Sequence, residues 1–398
     1  MNRRQFTLGS ICTLDALVQM TKGVGAVAQT GPEPARGMST KAQSGFTATG
    51  RPPVGQRAFV SDAVEDTIVK VKSMIRNPRL ATLFENCYPN TLDTTVLVSQ
   101  RNGKPDTFVI TGDIPAMWLR DSTAQVLPYL HLAPKDSKLQ SLFQGLIHRQ
   151  ADCIRLDAYA NAFYASNQTG PFAADLTEMR PGVHERKWEI DSLCYPIRLA
   201  YNYWRTTGNS EPLDENWHQA ARRIVATFRE QQRLTNDGPY RFQRMTSMFY
   251  DNSPNKGLGN PSRKIGLLHS AFRPSDDACL SPFLIPSNMF AVVSLRQLQQ
   301  ISSSVFKDQE LAGVAARLAD TLHAAIEKYA IVDHSRRGRI YAYEIDGFGN
   351  SLLMDDANVP SLLSLPYLGC CEIEDTTYQR TRAFSLSDDN PYFFRGVA

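Results

Sequence analysis

The sequence predicts an all-α domain carrying short β-hairpin excursions, on three observations. Long stretches repeat apolar residues at helical spacing, alternating stretches are few and short, and no strand–helix–strand rhythm or glycine-rich phosphate loop appears. Hydrophobic residues make up 42% of 398, which is enough to bury the core of a large domain.

The elements follow in chain order. In "SDAVEDTIVKVKSMIRN", Val64, Ile68, Val71 and Ile75 fall on one helical face behind a Ser61 cap. "TTVLVSQRNGKPDTFVITGD" reads as a hairpin, because an Asn-Gly turn separates two short runs of strand formers. "KLQSLFQGLIHRQADCIRL" lines up Leu139, Leu142, Phe143, Leu146 and Ile147 on a second helix. "LAGVAARLADTLHAAIEKYA" does the same with Leu311, Val314, Leu318, Leu322 and Ile326. Helices are also predicted over 189–205, 214–231 and 287–301, and "GRIYAYEIDGFGN" alternates before an Asp-Gly turn. Helix pairs in this number stack as a solenoid or close into a ring, and periodicity does not choose between them.

Residues 1–29 read as a twin-arginine export signal: Arg3-Arg4 is followed by Phe6 and Leu8, a mildly apolar stretch and the small-residue run "GAVAQT". The alternative is an N-terminal helix whose basic residues are solvated. Residues 30–56 are rich in Gly, Pro, Ser, Thr and Ala and poor in apolar groups, so a disordered linker is expected, with the folded domain starting near Arg57. No run of about 18 apolar residues predicts a membrane span. The 43 basic and 40 acidic residues are evenly spread, without the basic block that would follow a phosphate backbone, so nucleic acid is not an expected partner. Among seven cysteines only Cys370-Cys371 are adjacent, and no CxxC or histidine cluster suggests zinc, so neither metal nor cofactor is expected. Cys87, Cys153, Cys194 and Cys279 are expected in the core.

Four polar clusters gather with aromatics just before predicted helices. They are "TGDIPAMWLRDS" with Asp113, Trp118, Arg120 and Asp121; "HERKWEIDSLCYP" with His184, Glu185, Trp188, Glu189 and Asp191; "FRPSDDACLSPFLIPSNMF" with Arg273, Asp276 and Asp277; and "MDDANVPSLL" with Asp355, Asp356 and Asn358. Singly, Asp121, Asp191 or Asp277 can be a helix cap, Arg120–Asp121 a structural ion pair, and Trp118, Trp188, Phe272 and Phe290 core residues. Together they converge on a sugar pocket. Carboxylates bond vicinal hydroxyls, an arginine fixes the carboxylates, and aromatic faces stack on the apolar side of a ring. Two carboxyl groups with separated pKa values then suffice for glycoside hydrolysis. No GxSxG elbow supports a serine hydrolase, and Cys370-Cys371 has no neighbouring histidine.

At these clusters the chain resembles glycoside hydrolase family 125, the exo-α-1,6-mannosidases. The resemblance runs from about residue 60 to the end through "FENCYPNTLDTTV", "TGDIPAMWLRDSTAQVLPYL", "WEIDSLCYPIRLAY", "FRPSDDA", "FLIPSNMFA", "MDDANVPSLL" and "NPYFFRG". It implies an (α/α)6 barrel and removal of terminal mannose from α-1,6 linkages with inversion and without metal. It implies that Arg120 and Asp121 hold sugar hydroxyls, with Asp113, Trp118, Glu189, Asp191, Arg273, Asp355, Asp356 and Asn358 as further substrate-binding candidates. For the general acid it points to Asp276 or Asp277, ahead of Asp191. Its general base is a glutamate past the segment matching "NPYFFRG", so that base and the last helices are expected to lie outside residues 1–398. The partner is then a mannose-containing oligosaccharide. The alternatives are an α-glucosidase on the same scaffold and a carbohydrate-binding protein without catalysis.

Overall fold

The computed structural model describes residues 49–396; the expected export signal and residues 30–48 of the expected linker lie outside them. Residues 49–56 do not behave as a free linker. The buried guanidinium of Arg51 is gripped by Asp93 at 2.8 Å and by Glu65 at 2.6 Å, which ties the segment to the domain before Arg57.

Nine α-helices of eight residues or more are found among the described residues: α1 (Asp62–Met74), α2 (Pro78–Cys87), α3 (Leu119–Val126), α4 (Ser137–Leu156), α5 (Ile190–Thr207), α6 (Glu215–Gln231), α7 (Ile285–Ile301), α8 (Gln309–Tyr329) and α9 (Thr376–Ser385). Several start at a side-chain cap, Ser61 being the one expected. Ser61 accepts from the Val64 N–H, Asp136 from Lys138 and Leu139, Asp214 from Trp217 and Asp308 from Leu311, each satisfying donors the first turn leaves open. The predicted apolar faces of α4 and α8 are the buried ones, except Val314, which is half-buried. The helices pack in neighbouring pairs: α7 lies against α8 and α5, α5 against α3, and α4 against α6. One continuous core joins them and takes in Trp188, Phe272 and Phe290, all fully buried, so these three aromatics are core residues.

Cys153, Cys194 and Cys279 are buried as expected, but Cys87 is exposed. It ends α2, a helix with no fully buried residue, so the expected core position is corrected.

The β structure is minor and partly unexpected. Strands β1 (Val96–Arg101) and β2 (Lys104–Val109) form the predicted hairpin, with Arg101 opposite Lys104 across Asn102 (φ 52°) and Gly103 (φ 75°). Two central positive φ values are what the Asn-Gly turn supplies. Two three-stranded sheets of very short strands were not foreseen. One pairs β3 (Met117–Trp118), β4 (Ala162–Phe163) and β5 (Val183–Glu185); the other pairs β6 (Phe283–Leu284), β9 (Glu344–Ile345) and β10 (Ser351–Leu352). In the "GRIYAYEIDGFGN" stretch, β8 (Gly338–Tyr341) pairs back to β7 (Ile331–His334), while β9 turns over Asp346–Gly347 to β10.

Helix α4 packs closely on β2 at Gly145, where an added Cβ would stand 2.8 Å from the backbone of Asp106 and Thr107. Backbone cannot give way as a flexible side chain can. Gly145→Ala is expected to cost about 1–3 kcal/mol, read as a lower urea midpoint with an unchanged slope.

Candidate active site

Three helices that lead from the polar clusters begin differently from the others. The N-cap positions of α3, α5 and α7 are Trp118, Glu189 and Leu284, and none makes a side-chain cap bond. Their starts follow strands instead: β3 runs directly into α3, β6 directly into α7, and β5 precedes α5 by four residues. The carboxylates of these first turns are therefore released from capping.

They converge on Arg120. From the first turn of α3 its Nη1 bonds the Glu189 carboxylate and reaches Asp191 Oδ2 at 2.9 Å, while Nε stands 3.7 Å from Asp121 Oδ2. Glu189 and Asp191 have no exposed surface at all. Ser192 Oγ donates to Glu189 Oε2 at 2.9 Å, and Asn161 Nδ2 donates to Glu189 Oε1 at 3.4 Å. Burial disfavours the charged forms, and two carboxylates share one guanidinium. Burial first, opposed by Arg120, pushes Glu189 well above the usual carboxylate range and raises Asp191 as well. On Arg120 burial acts the other way, and Glu189 and Asp191 overcome it to hold the guanidinium well above its ordinary value.

Arg120 and Asp121 open onto a cavity of about 1300 Å³. Its wall brings together Arg273, Asp276, Asp277, Asp356 and Asn358 with them. Most of the sequence candidates thus meet in one place. Glu189 and Asp191 sit behind that wall, holding Arg120. Asp355 also lies behind it, its two oxygens accepting from the backbone N–H groups of Leu362 (2.7 Å) and Leu363 (2.9 Å), which shapes the loop that carries Asp356 and Asn358. Asp113 is exposed outside the wall, and Trp118 is buried edge-on to His184.

The loop with the two adjacent aspartates is a tight turn. The Asp276 N–H donates to the Arg273 carbonyl at 2.9 Å, and the Arg273 N–H donates to the Asp277 carbonyl at 2.8 Å. Arg273 is anchored below by Glu344 of β9 at 2.5 Å, a carboxylate with no exposure that also accepts from the Ser281 N–H. Asp276 has φ 71°, a left-handed conformation uncommon for a residue with a side chain.

The far side of the cavity comes from a segment without predicted structure. Gln243, Arg244, Met245, Phe249, Tyr250 and Asn252 line it, and the Ala278 N–H donates to the Tyr250 carbonyl at 2.7 Å, which fastens this segment to the aspartate turn. Phe249 and Met245 are largely exposed at the rim. The signal for this wall was the run "MFYDNSP", aromatics beside Asp and Asn as in the other clusters, but with no periodic helix following it.

Carboxylates, arginines and an aromatic rim around a cavity at the starts of packed helices are the groups a glycoside hydrolase needs. Residues 77–398 match the family described as metal-independent alpha-mannosidase (GH125). The chain belongs to that family, glycoside hydrolase family 125, and is an α-mannosidase. It is 41% identical over 365 residues to the meiotically up-regulated gene 157 protein of Schizosaccharomyces pombe, covering 87% of this chain and 72% of that protein. In structure it resembles a Streptococcus pneumoniae metal-independent α-mannosidase in a non-productive complex with α-1,6-mannobiose. The TM-score is 0.81 at 43% identity, over 85% of this chain and 80% of that one. Family membership decides against the α-glucosidase and non-catalytic alternatives.

Proposed function

We propose that the protein removes a single terminal mannose from an α-1,6 linkage with inversion, on an (α/α)6 barrel whose loops wall the cavity. The observation that carries this reading is the meeting of Arg120–Asp121 with Asp276–Asp277 across one cavity. Arg120, braced by Glu189 and Asp191, and Asp121 hold hydroxyls of the terminal sugar, with Asp356 and Asn358 contributing from the loop after β10. One of Asp276 and Asp277 protonates the leaving oxygen as the C1–O bond breaks. Water attacks C1 from the other face and gives its proton to a base; no described residue is assigned that role. In such a pair the carboxyls stand roughly 6.5–9.5 Å apart, which leaves room for the water. The exposed Phe249 and Met245 at the rim suit the apolar faces of sugars on the leaving side. Export by the twin-arginine reading of residues 1–29 would bring the enzyme to extracytoplasmic glycans.

The test is the anomer first formed by the full-length gene product from α-1,6-mannobiose, followed by proton NMR. β-Mannose first, with no metal added and a chelator present, is the expected result. α-Mannose first, or cleavage of α-1,2- or α-1,3-mannobiose in preference, would overturn it.

A further inference from the structure

A buried cation reaches the left-handed Asp276 peptide from beneath. Lys187 is buried between β5 and α5, 2% exposed, and its ammonium donates to the Asp276 carbonyl at 3.0 Å. The same ammonium pairs with Asp251, stands 3.6 Å from Glu185 Oε1, and lies 5.0 Å from the centre of the Phe272 ring. An ammonium with three rotatable donors can serve a carbonyl and two carboxylates at once. Lys187 is itself fixed, because its backbone N–H donates to Asn161 Oδ1 at 3.1 Å. Asn161 Nδ2 in turn donates to Glu185 at 3.1 Å and to Glu189 at 3.4 Å, so the lysine is linked to the carboxylate that braces Arg120.

We propose that Lys187 is a positioning residue for proton donation, holding the twisted Asp276 peptide so that the adjacent carboxyls face the leaving oxygen in register with the sugar held by Arg120. The inference rests on the reading that Asp276 or Asp277 supplies the acid. Lys187 touches no substrate; it acts through the turn. Its other partners do not depend on it alone. Arg244 Nη2 lies 3.0 Å from Glu185 and Nη1 3.2 Å from Asp251, so both carboxylates keep a cation when the lysine is replaced.

The experiment compares Lys187→Met and Lys187→Gln with the unaltered full-length protein on α-1,6-mannobiose and on 2,4-dinitrophenyl α-mannoside. The sugar leaving group needs a proton; dinitrophenolate leaves without one. Lys187→Met is expected to lower kcat on the disaccharide by about 10²-fold, the scale of an ångström misplacement, with KM within about threefold and the dinitrophenyl rate nearly kept. Lys187→Gln retains one donor for the carbonyl and is expected to recover part of the disaccharide rate. Equal losses on both substrates, or no loss on either, would overturn the proposal. Asp276→Asn and Asp277→Asn are run alongside: if neither shows dependence on the leaving group, the acid reading falls and the inference with it. If one does and Lys187→Met does not, only the inference falls.

Discussion

One of the two variants Asp276→Asn and Asp277→Asn loses about 10²–10⁴-fold in kcat on α-1,6-mannobiose and keeps most of its rate on an activated aryl mannoside, the signature of a missing general acid. The other changes mainly KM, as a residue that binds sugar hydroxyls would. Both substitutions leave the turn intact. The bonds that close it, Asp276 N–H to the Arg273 carbonyl and Arg273 N–H to the Asp277 carbonyl, are main-chain bonds. Asparagine also accepts the left-handed conformation of position 276 more readily than other side chains except glycine, so φ 71° is retained. What changes is one oxygen becoming an amide. The pair of variants therefore names the acid, which adjacency in "RPSDD" leaves open. If neither variant becomes dependent on the leaving group, the acid is another carboxyl.

Arg120→Met is expected to destabilise the fold by about 3–5 kcal/mol, the cost of leaving buried carboxylates without their cation. Glu189 and Asp191, which have no exposed surface, lose the one guanidinium they share. Both carboxyls already sit above their usual range, and removing the arginine raises them further. A carboxyl raised on folding contributes stability at acidic pH and loses it as pH climbs through the raised value. The deficit of Arg120→Met should therefore widen from acidic to neutral pH in urea titrations. Adding Glu189→Gln to the variant should recover part of it by removing one charge. A deficit below about 1 kcal/mol, flat with pH, would mean that the pair is not the brace described. Activity in Arg120→Met should vanish even where the protein remains folded, since the sugar loses its fixed donor.

The long helices were legible because their apolar faces repeat over many turns, and Ser61 marked the start of the first; Asp136, Asp214 and Asp308 cap three others in the same way without having been read from the sequence. The same logic explains why the short sheets were not. A strand of two residues, such as Met117–Trp118 or Phe283–Leu284, has no period to detect, and its partners lie far away in sequence. At the site, composition marked the right stretches but not which side of the wall each residue takes. Asp356 faces the cavity while its neighbour Asp355 turns to the backbone of Leu362 and Leu363. Arg120 faces it while Glu189 and Asp191 stand behind. Lys187 lay inside the quoted cluster "HERKWEIDSLCYP", yet its role depends on a carbonyl 89 residues away, and no spacing rule reaches that far. Arg244 and the segment to Asn252 were missed because they join the cavity by main-chain bonds from an aperiodic loop.

The two small sheets have a bearing on how such an enzyme diversifies. Each ties the entry to a site helix, α3 through β3 and α7 through β6, to a distant strand by main-chain bonds, which are indifferent to side-chain identity. Between the paired strands run residues 164–182, from β4 to β5, and 346–350, from β9 to β10; the longer run is pinned to the far wall of the cavity by main-chain bonds between Leu176 and Gln243 and by Asp175 on Arg244. The exposed turn at 348–350 can change length while the paired strands keep their places. The seams thus fix the helix starts that carry the chemistry, while the longer excursion reaches the same cavity through Leu176.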